Sequence, residues 1–115
     1  MAHRSPRLSP AAFAAALLLL AACSSTMSIG KLLDDPARYD GKQVRIEGRV
    51  TRGVGLLGRG AYEVADGTGE LPVVSQLVGA PREGARVGVE GIFRSVFTFG
   101  DRSGAVLLER SRFDP

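Results

Sequence analysis

Residues able to do covalent chemistry are few in this chain. It holds one cysteine, Cys23, and one histidine, His3. Downstream of Cys23 there is neither a histidine nor a second thiol, so no Ser-His-Asp or Cys-His centre and no zinc site of ordinary type can be assembled there. Carboxylates remain: Asp34 with Asp35, and Glu63, Asp66 and Glu70 around one hairpin. Acid–base work by a carboxylate pair needs one member desolvated in a cleft, and these stand in turns and on strand faces that water reaches. A small hydrolase using surface carboxylates is the alternative this disfavours. The expectation is a non-enzymatic chain with no catalytic residue, no metal and no cofactor.

Two glycine-rich stretches imitate ligand loops. "GVGLLGRG" (53–60) contains a formal G-x-G-x-x-G in Gly53, Gly55 and Gly58. A dinucleotide site needs a helix directly after such a turn, and the strand-like "AYEV" follows instead. The stretch reads as a long, flexible loop with Leu56 and Leu57 at its tip, either touching a partner or the membrane, or folded back onto the domain. "DGTGE" (66–70) lacks the ligand series of a calcium loop and reads as a tight turn.

The cysteine is placed by what precedes it. Residues 1–10 are polar and carry Arg4 and Arg7 without an acid, and the 12 residues Ala11–Ala22 are wholly apolar. A basic start, a short apolar run and small residues at its end make a secretory signal; a spanning helix needs about 20 apolar residues. Leu20-Ala21-Ala22-Cys23 resembles the lipobox of bacterial lipoproteins. That resemblance implies cleavage before Cys23, acylation of its sulfur and new amino terminus, and a palmitate-type membrane anchor. Ser24 and Ser25, in place of an aspartate, imply the periplasmic face of the outer membrane. Removing residues 1–22 from the 115 leaves 93, with 13 basic and 12 acidic residues. The pI of 9.6 therefore overstates the case for an anionic partner.

These pieces need a scaffold. Residues 23–28 form the lipidated cysteine and its tether, whose residues 24–28 span about 12 Å root-mean-square as flexible chain. Residues 29–115 form one small domain. Ser28 caps a short helix carrying Ile29, Leu32 and Leu33. Asp35-Pro36 signals a second short helix, with aspartate as its cap. From Gln43 the period changes to two: Val44, Ile46, Gly48 and Val50 alternate with polar residues, as in a half-buried strand. Further strands follow at Tyr62–Ala65, Leu71–Val74, Arg86–Arg94 and Gly104–Phe113, and Pro72 points to a bulge or a free side in the third. "GKQVRIEGRV" and "GARVGVEGIF" share G-x-x-V-x-[IV]-E-G at an offset of 43 residues. Two copies are too few for a solenoid. Mid-strand Gly48 and Gly91 suit the bends that close a small barrel.

"LLDDPARYDGKQVRIEGRV", "VADGTGELPVV" and "GARVGVEGIF", in that order, resemble bacterial OB-fold domains of small envelope proteins and, distantly, tRNA-anticodon-binding modules. The resemblance spans residues 28–113. It implies a mainly β fold, a five-stranded Greek-key barrel with short N-terminal helical segments, recognising partners through strands two and three and their flanking loops. Those loops are 53–60, with Leu56, Leu57 and Arg59, and 95–103, with Phe97, Phe99 and Arg102. Single-strand nucleic acid is read by aromatic rings over a basic groove, and Arg52, Arg59, Arg94 and Arg102 could line one. Phe97 and Phe99 could equally be barrel packing. The haem-chaperone relative with an OB domain uses a histidine, which this domain lacks. The expectation is a membrane-anchored binding module contacting an envelope protein or glycan, with nucleic acid or oligosaccharide binding as the alternative.

Overall fold

A computed structural model describes residues 25–56, 59–75, 79–99 and 101–115. Two short helices, α1 (Ile29–Asp34) and α2 (Pro36–Tyr39), precede five strands: β1 (Gln43–Leu56), β2 (Arg59–Ala65), β3 (Glu70–Ser75), β4 (Arg86–Phe99) and β5 (Arg102–Phe113). The strands close into a ring in the order β1-β2-β3-β5-β4. All neighbours are antiparallel except β3 and β5, which run parallel through Val73↔Leu107 and Val74↔Leu108. This is the expected five-stranded OB-type barrel.

Alternation fills it. Val44 and Ile46 of β1, Tyr62 and Val64 of β2, Leu71 and Val73 of β3, Val87, Val89 and Phe93 of β4 and Leu107 of β5 turn inward and are buried. A strand sends successive side chains to opposite faces, so the outward series Arg45, Glu47 and Glu90 stays in contact with water. Pro72 opposes Glu63 on β2, one residue before the β5 pairing begins. It stands where β3 has a free side, so its missing N–H removes no ladder bond.

Closing five strands requires sharp bends, and two glycines stand at them. A Cβ on Gly48 would lie 2.5 Å from the Ala65 carbonyl oxygen, and one on Gly91 would lie 2.1 Å from that of Leu108. Both are near register shifts, between Val50 and Arg52 on β1 and between Glu90 and Gly91 on β4. Only a residue without a side chain allows backbones so close.

The internal echo has a structural meaning. Its two copies pair with each other: Val44 faces Gly91, Ile46 faces Val89 and Gly48 faces Val87. The turns match as well. Gly41 N–H donates to the Phe93 carbonyl and Gly84 N–H to that of Val50, both at 2.7 Å; Phe93 N–H donates to Lys42 and Val50 N–H to Ala85, both at 2.9 Å. Gly41 and Gly84 share a positive φ, +80° and +86°. Residues 39–50 and 82–93 are thus related by a local two-fold axis, more than the similar surroundings the sequence alone suggests.

The first helix plugs the barrel with Ile29 and Leu32, both fully buried. Its first turn leaves N–H groups without helical partners. Ser28 Oγ accepts from Lys31 N–H at 3.2 Å, Asp66 Oδ2 from Ile29 N–H at 2.8 Å, and Thr68 Oγ1 from Gly30 N–H at 2.8 Å. The D-G-T-G turn is therefore a helix dock as well as a turn. Asp35 stands at the cap position of α2, but its side chain makes no cap bond; Pro36 starts that helix. Met27 N–H donates to the Arg45 carbonyl at 2.7 Å, so the folded contacts begin ahead of residue 29.

Both expected recognition loops are strand over most of their length. The pairing of β1 with β2 continues to Leu56↔Arg59, and that of β4 with β5 to Phe99↔Arg102. The glycines of 53–60 read as loop, yet the backbone of 53–56 continues the β1–β2 ladder past the last β1–β4 rung.

Candidate functional site

The first candidate surface is the β4–β5 hairpin. The last rung of the β1–β4 ladder is Gln43↔Ile92, and β4 then runs on past the start of β1. Its base is tied down: Asp40 Oδ1 accepts from Ser95 N–H at 2.7 Å and from Ser95 Oγ at 3.1 Å, and Arg94 Nε lies 4.0 Å away. The Ser95 N–H and hydroxyl, with help from Arg94, hold the Asp40 carboxyl below its ordinary value. Beyond Ser95 the strand partner is β5 alone, through Phe97↔Gly104, Thr98↔Ser103 and Phe99↔Arg102. Val96 here is 69% exposed, Phe97 is half-buried and Arg102 is exposed.

The second is the β1–β2 hairpin. It leaves the same ladder at the other end, past Arg49↔Arg86, and carries Leu56 and Arg59 at its last paired position. Arg52 sits 3.6 Å from Glu63 on its flank. Leu57 and Cys23 lie outside the described residues. Seven residue pairs separate the two departures, about 20 Å at roughly 3.3 Å per residue. The expected site residues therefore divide into Leu56 with Arg59 at one end and Phe97, Phe99 and Arg102 at the other. Two of the four arginines expected to line a groove, Arg52 and Arg94, have acidic neighbours.

A third feature lies outside the residues singled out from the sequence. The side chain of Glu109 is 2% exposed and meets Tyr62, Arg112 and Ser75. Arg112 engages both carboxylate oxygens, Nε to Oε2 at 2.8 Å and Nη2 to Oε1 at 3.1 Å. The Tyr62 hydroxyl donates to Oε2, and Ser75 is a further hydrogen-bonding neighbour. Arg112 also donates to the Gly79 carbonyl at 2.8 Å and stands 5.3 Å from the Tyr62 ring centre. Burial works to raise the Glu109 carboxyl, but the bonds from Arg112, Ser75 and Tyr62 outweigh it and leave it lowered. Burial, then the adjacent carboxylate, pushes the Tyr62 hydroxyl well up, so it donates as a neutral phenol. This is a satisfied polar cluster tying β2, β3, β5 and the β3–β4 connection together. One signal was available: Glu109 stands in phase with inward-facing Leu107, where an acid needs partners.

The carboxylates singled out from sequence are dispersed. Asp34, Asp35 and Glu70 are exposed, Glu63 faces Arg52, and Asp66 is committed to α1. Among the described residues there is no group of three or more His, Cys, Asp or Glu placed to hold a metal. Among the same residues, no helix is long and apolar enough to cross a membrane.

No family model matches the sequence, and no curated protein matches it. Solved structures do resemble its fold. The crystal structure of asparaginyl-tRNA synthetase from Pyrococcus horikoshii superposes with a TM-score of 0.55 at 24% identity, over 66% of this chain and 20% of that one. The same enzyme complexed with asparaginyl-adenylate superposes with a TM-score of 0.63 at 21% identity, over 77% and 22%. This chain thus spans about a fifth of the synthetase. At such identity the likeness defines the architectural class, an OB-type barrel.

Proposed function

We propose that this chain is a non-enzymatic, lipid-anchored OB-fold module of the bacterial envelope that binds an envelope protein or glycan. The observation carrying the binding role is the pair of two-stranded hairpins running past the closed wall of an OB barrel, where such folds carry their recognition loops. The anchor rests on the sequence: L-A-A-C directly after a 12-residue apolar run. Outer-membrane placement rests on Ser24 following the cysteine. Binding of single-stranded nucleic acid is disfavoured, because Arg52 and Arg94 stand beside Glu63 and Asp40.

Photo-crosslinking in cells tests the reading. A crosslinking residue replaces Leu56 or Phe99, one per hairpin, with a control at Glu47 on the barrel wall. A discrete protein or glycan adduct from either hairpin, absent from the control, is the expected result. Folded, abundant protein giving no such adduct from both positions overturns the binding role.

A further inference from the structure

We infer that an open cleft at the rim of the barrel, between the start of β4 and the end of β5, binds a carboxylate-bearing sugar unit, with Arg86 taking the carboxylate. None of the cleft's residues belongs to either hairpin, and the inference does not depend on the lipid anchor.

The cleft has a volume of about 340 Å³ and is lined by Pro81, Arg86, Val87, Arg112, Phe113 and Asp114. That is the small end of the range for ligand pockets, enough for one sugar-sized group. Its walls are held in place. Phe113 pairs with Gly88 across the β4–β5 ladder, and its ring occupies the space where a Gly88 side chain would stand. The Arg45 guanidinium covers that ring, 3.9 Å from its centre. Arg112 is fixed by both carboxylate oxygens of Glu109 and by the Gly79 carbonyl. Walls already ordered in the free protein spare a ligand the entropy of ordering them.

Charge selects the ligand. Arg86 stands directly opposite Arg49 at the last β1–β4 rung, and both are exposed. Like charges so placed repel, and among the described residues neither arginine has an acidic ion-pair partner. Arg49 donates to the Gly84 carbonyl at 2.9 Å, which leaves Arg86 as the unpaired cation of the cleft. An incoming carboxylate offsets the repulsion and matches the guanidinium fork. Arg112 adds no net charge, because Glu109 offsets it.

Asp114 imposes a second condition. An ionised carboxylate only accepts hydrogen bonds, so the ligand must carry donors of its own. Pro81, Val87 and Phe113 set a third, an apolar face. A sugar acid meets all three through its carboxylate, its hydroxyls and the C–H face of its ring. A neutral sugar leaves Arg86 unmatched, and a dianionic phosphate sets a heavier like charge against Asp114.

The isotope-labelled full chain in detergent micelles is titrated with sodium glucuronate at constant ionic strength, followed by amide and arginine side-chain NMR shifts. Glucose and the free amino acid phenylalanine are titrated in parallel. Saturable shifts at the Arg86 side chain and at the Val87 and Phe113 amides are expected with glucuronate. Arg86→Gln should weaken its binding about tenfold, the scale of one charged hydrogen bond. Arg82→Gln, exposed in the β3–β4 connection but outside the cleft, should leave it unchanged. Glucose should bind about tenfold more weakly than glucuronate for the same reason. Unshifted core resonances establish that each variant is folded. Glucuronate shifts that do not saturate, that Arg86→Gln leaves alone, or that Arg82→Gln weakens equally overturn the inference. Phenylalanine binding as tightly as glucuronate also overturns it and assigns the cleft to amino acids. The hairpin crosslinks are read separately and stand or fall without this cleft.

Discussion

Glu109 combines high cost with full compensation. A carboxylate so deeply buried is stable as a charge only because Arg112 grips both oxygens while Tyr62 and Ser75 contribute further bonds. Truncating one partner of such a pair exposes the desolvation penalty of the other. Arg112→Met is expected to lower unfolding stability by roughly 2–3 kcal/mol, toward the low end for a buried pair because Arg112 still reaches water; urea unfolding reads the loss as a shifted midpoint at constant slope. Acid sensitivity follows from the same group and from Asp66. At Asp66, partial burial opposes the charge, and bonds from Thr68 and from the backbone N–H groups of Ile29, Thr68 and Gly69 overcome it. Both carboxyls titrate lower in the folded state than unfolded. Their stabilisation is complete above the unfolded values, about 3.9 for Asp and 4.3 for Glu, and is lost as pH falls through the lower folded values. The urea midpoint should hold from pH 7 to 5 and drop by pH 3. An Asp66→Asn, Glu109→Gln double variant should start lower at pH 7 and drop less; parallel curves for variant and parent would refute the assignment.

At the scale of elements, closure of the barrel depends on backbones meeting where glycine stands. Gly91→Ala would drive a Cβ against the Leu108 carbonyl, whereas a methyl group on Gly53 would meet nothing within 4 Å. Gly91→Ala is therefore expected to cost about 3 kcal/mol or more, at or above the usual range for overpacking, and Gly53→Ala to leave the thermal midpoint within a few degrees. Much of this level was legible in advance. All five strands were located, the first, second and fourth by their alternation, and Ser28 and Pro36 marked the two helix starts. The ends of the strands were not legible, because residues 53–56 and 95–99 lie beyond the shared β1–β4 ladder and pair only with a neighbouring hairpin arm. Nor was the two-fold relation of the G-x-x-V-x-[IV]-E-G copies, since a repeat does not say that its copies are neighbours.

For the whole molecule, the question is what stands at each end. Cys23→Ser should abolish palmitate labelling and leave the uncleaved precursor; a normally processed, labelled variant would refute the proposed anchor. The L-A-A-C tetrapeptide after its apolar run, the lack of histidine beyond His3 and the inward-outward alternation were determined by the sequence alone, because each depends on local order. Glu109 as a buried charge, Asp66 and Thr68 as the dock for α1, and the separation of Phe97 from Leu56 were decided by tertiary structure alone. The reason is physical. A side chain's surroundings in a closed barrel are set by strands distant in sequence, and the β1–β4 register sends the two hairpins off opposite ends of their shared ladder.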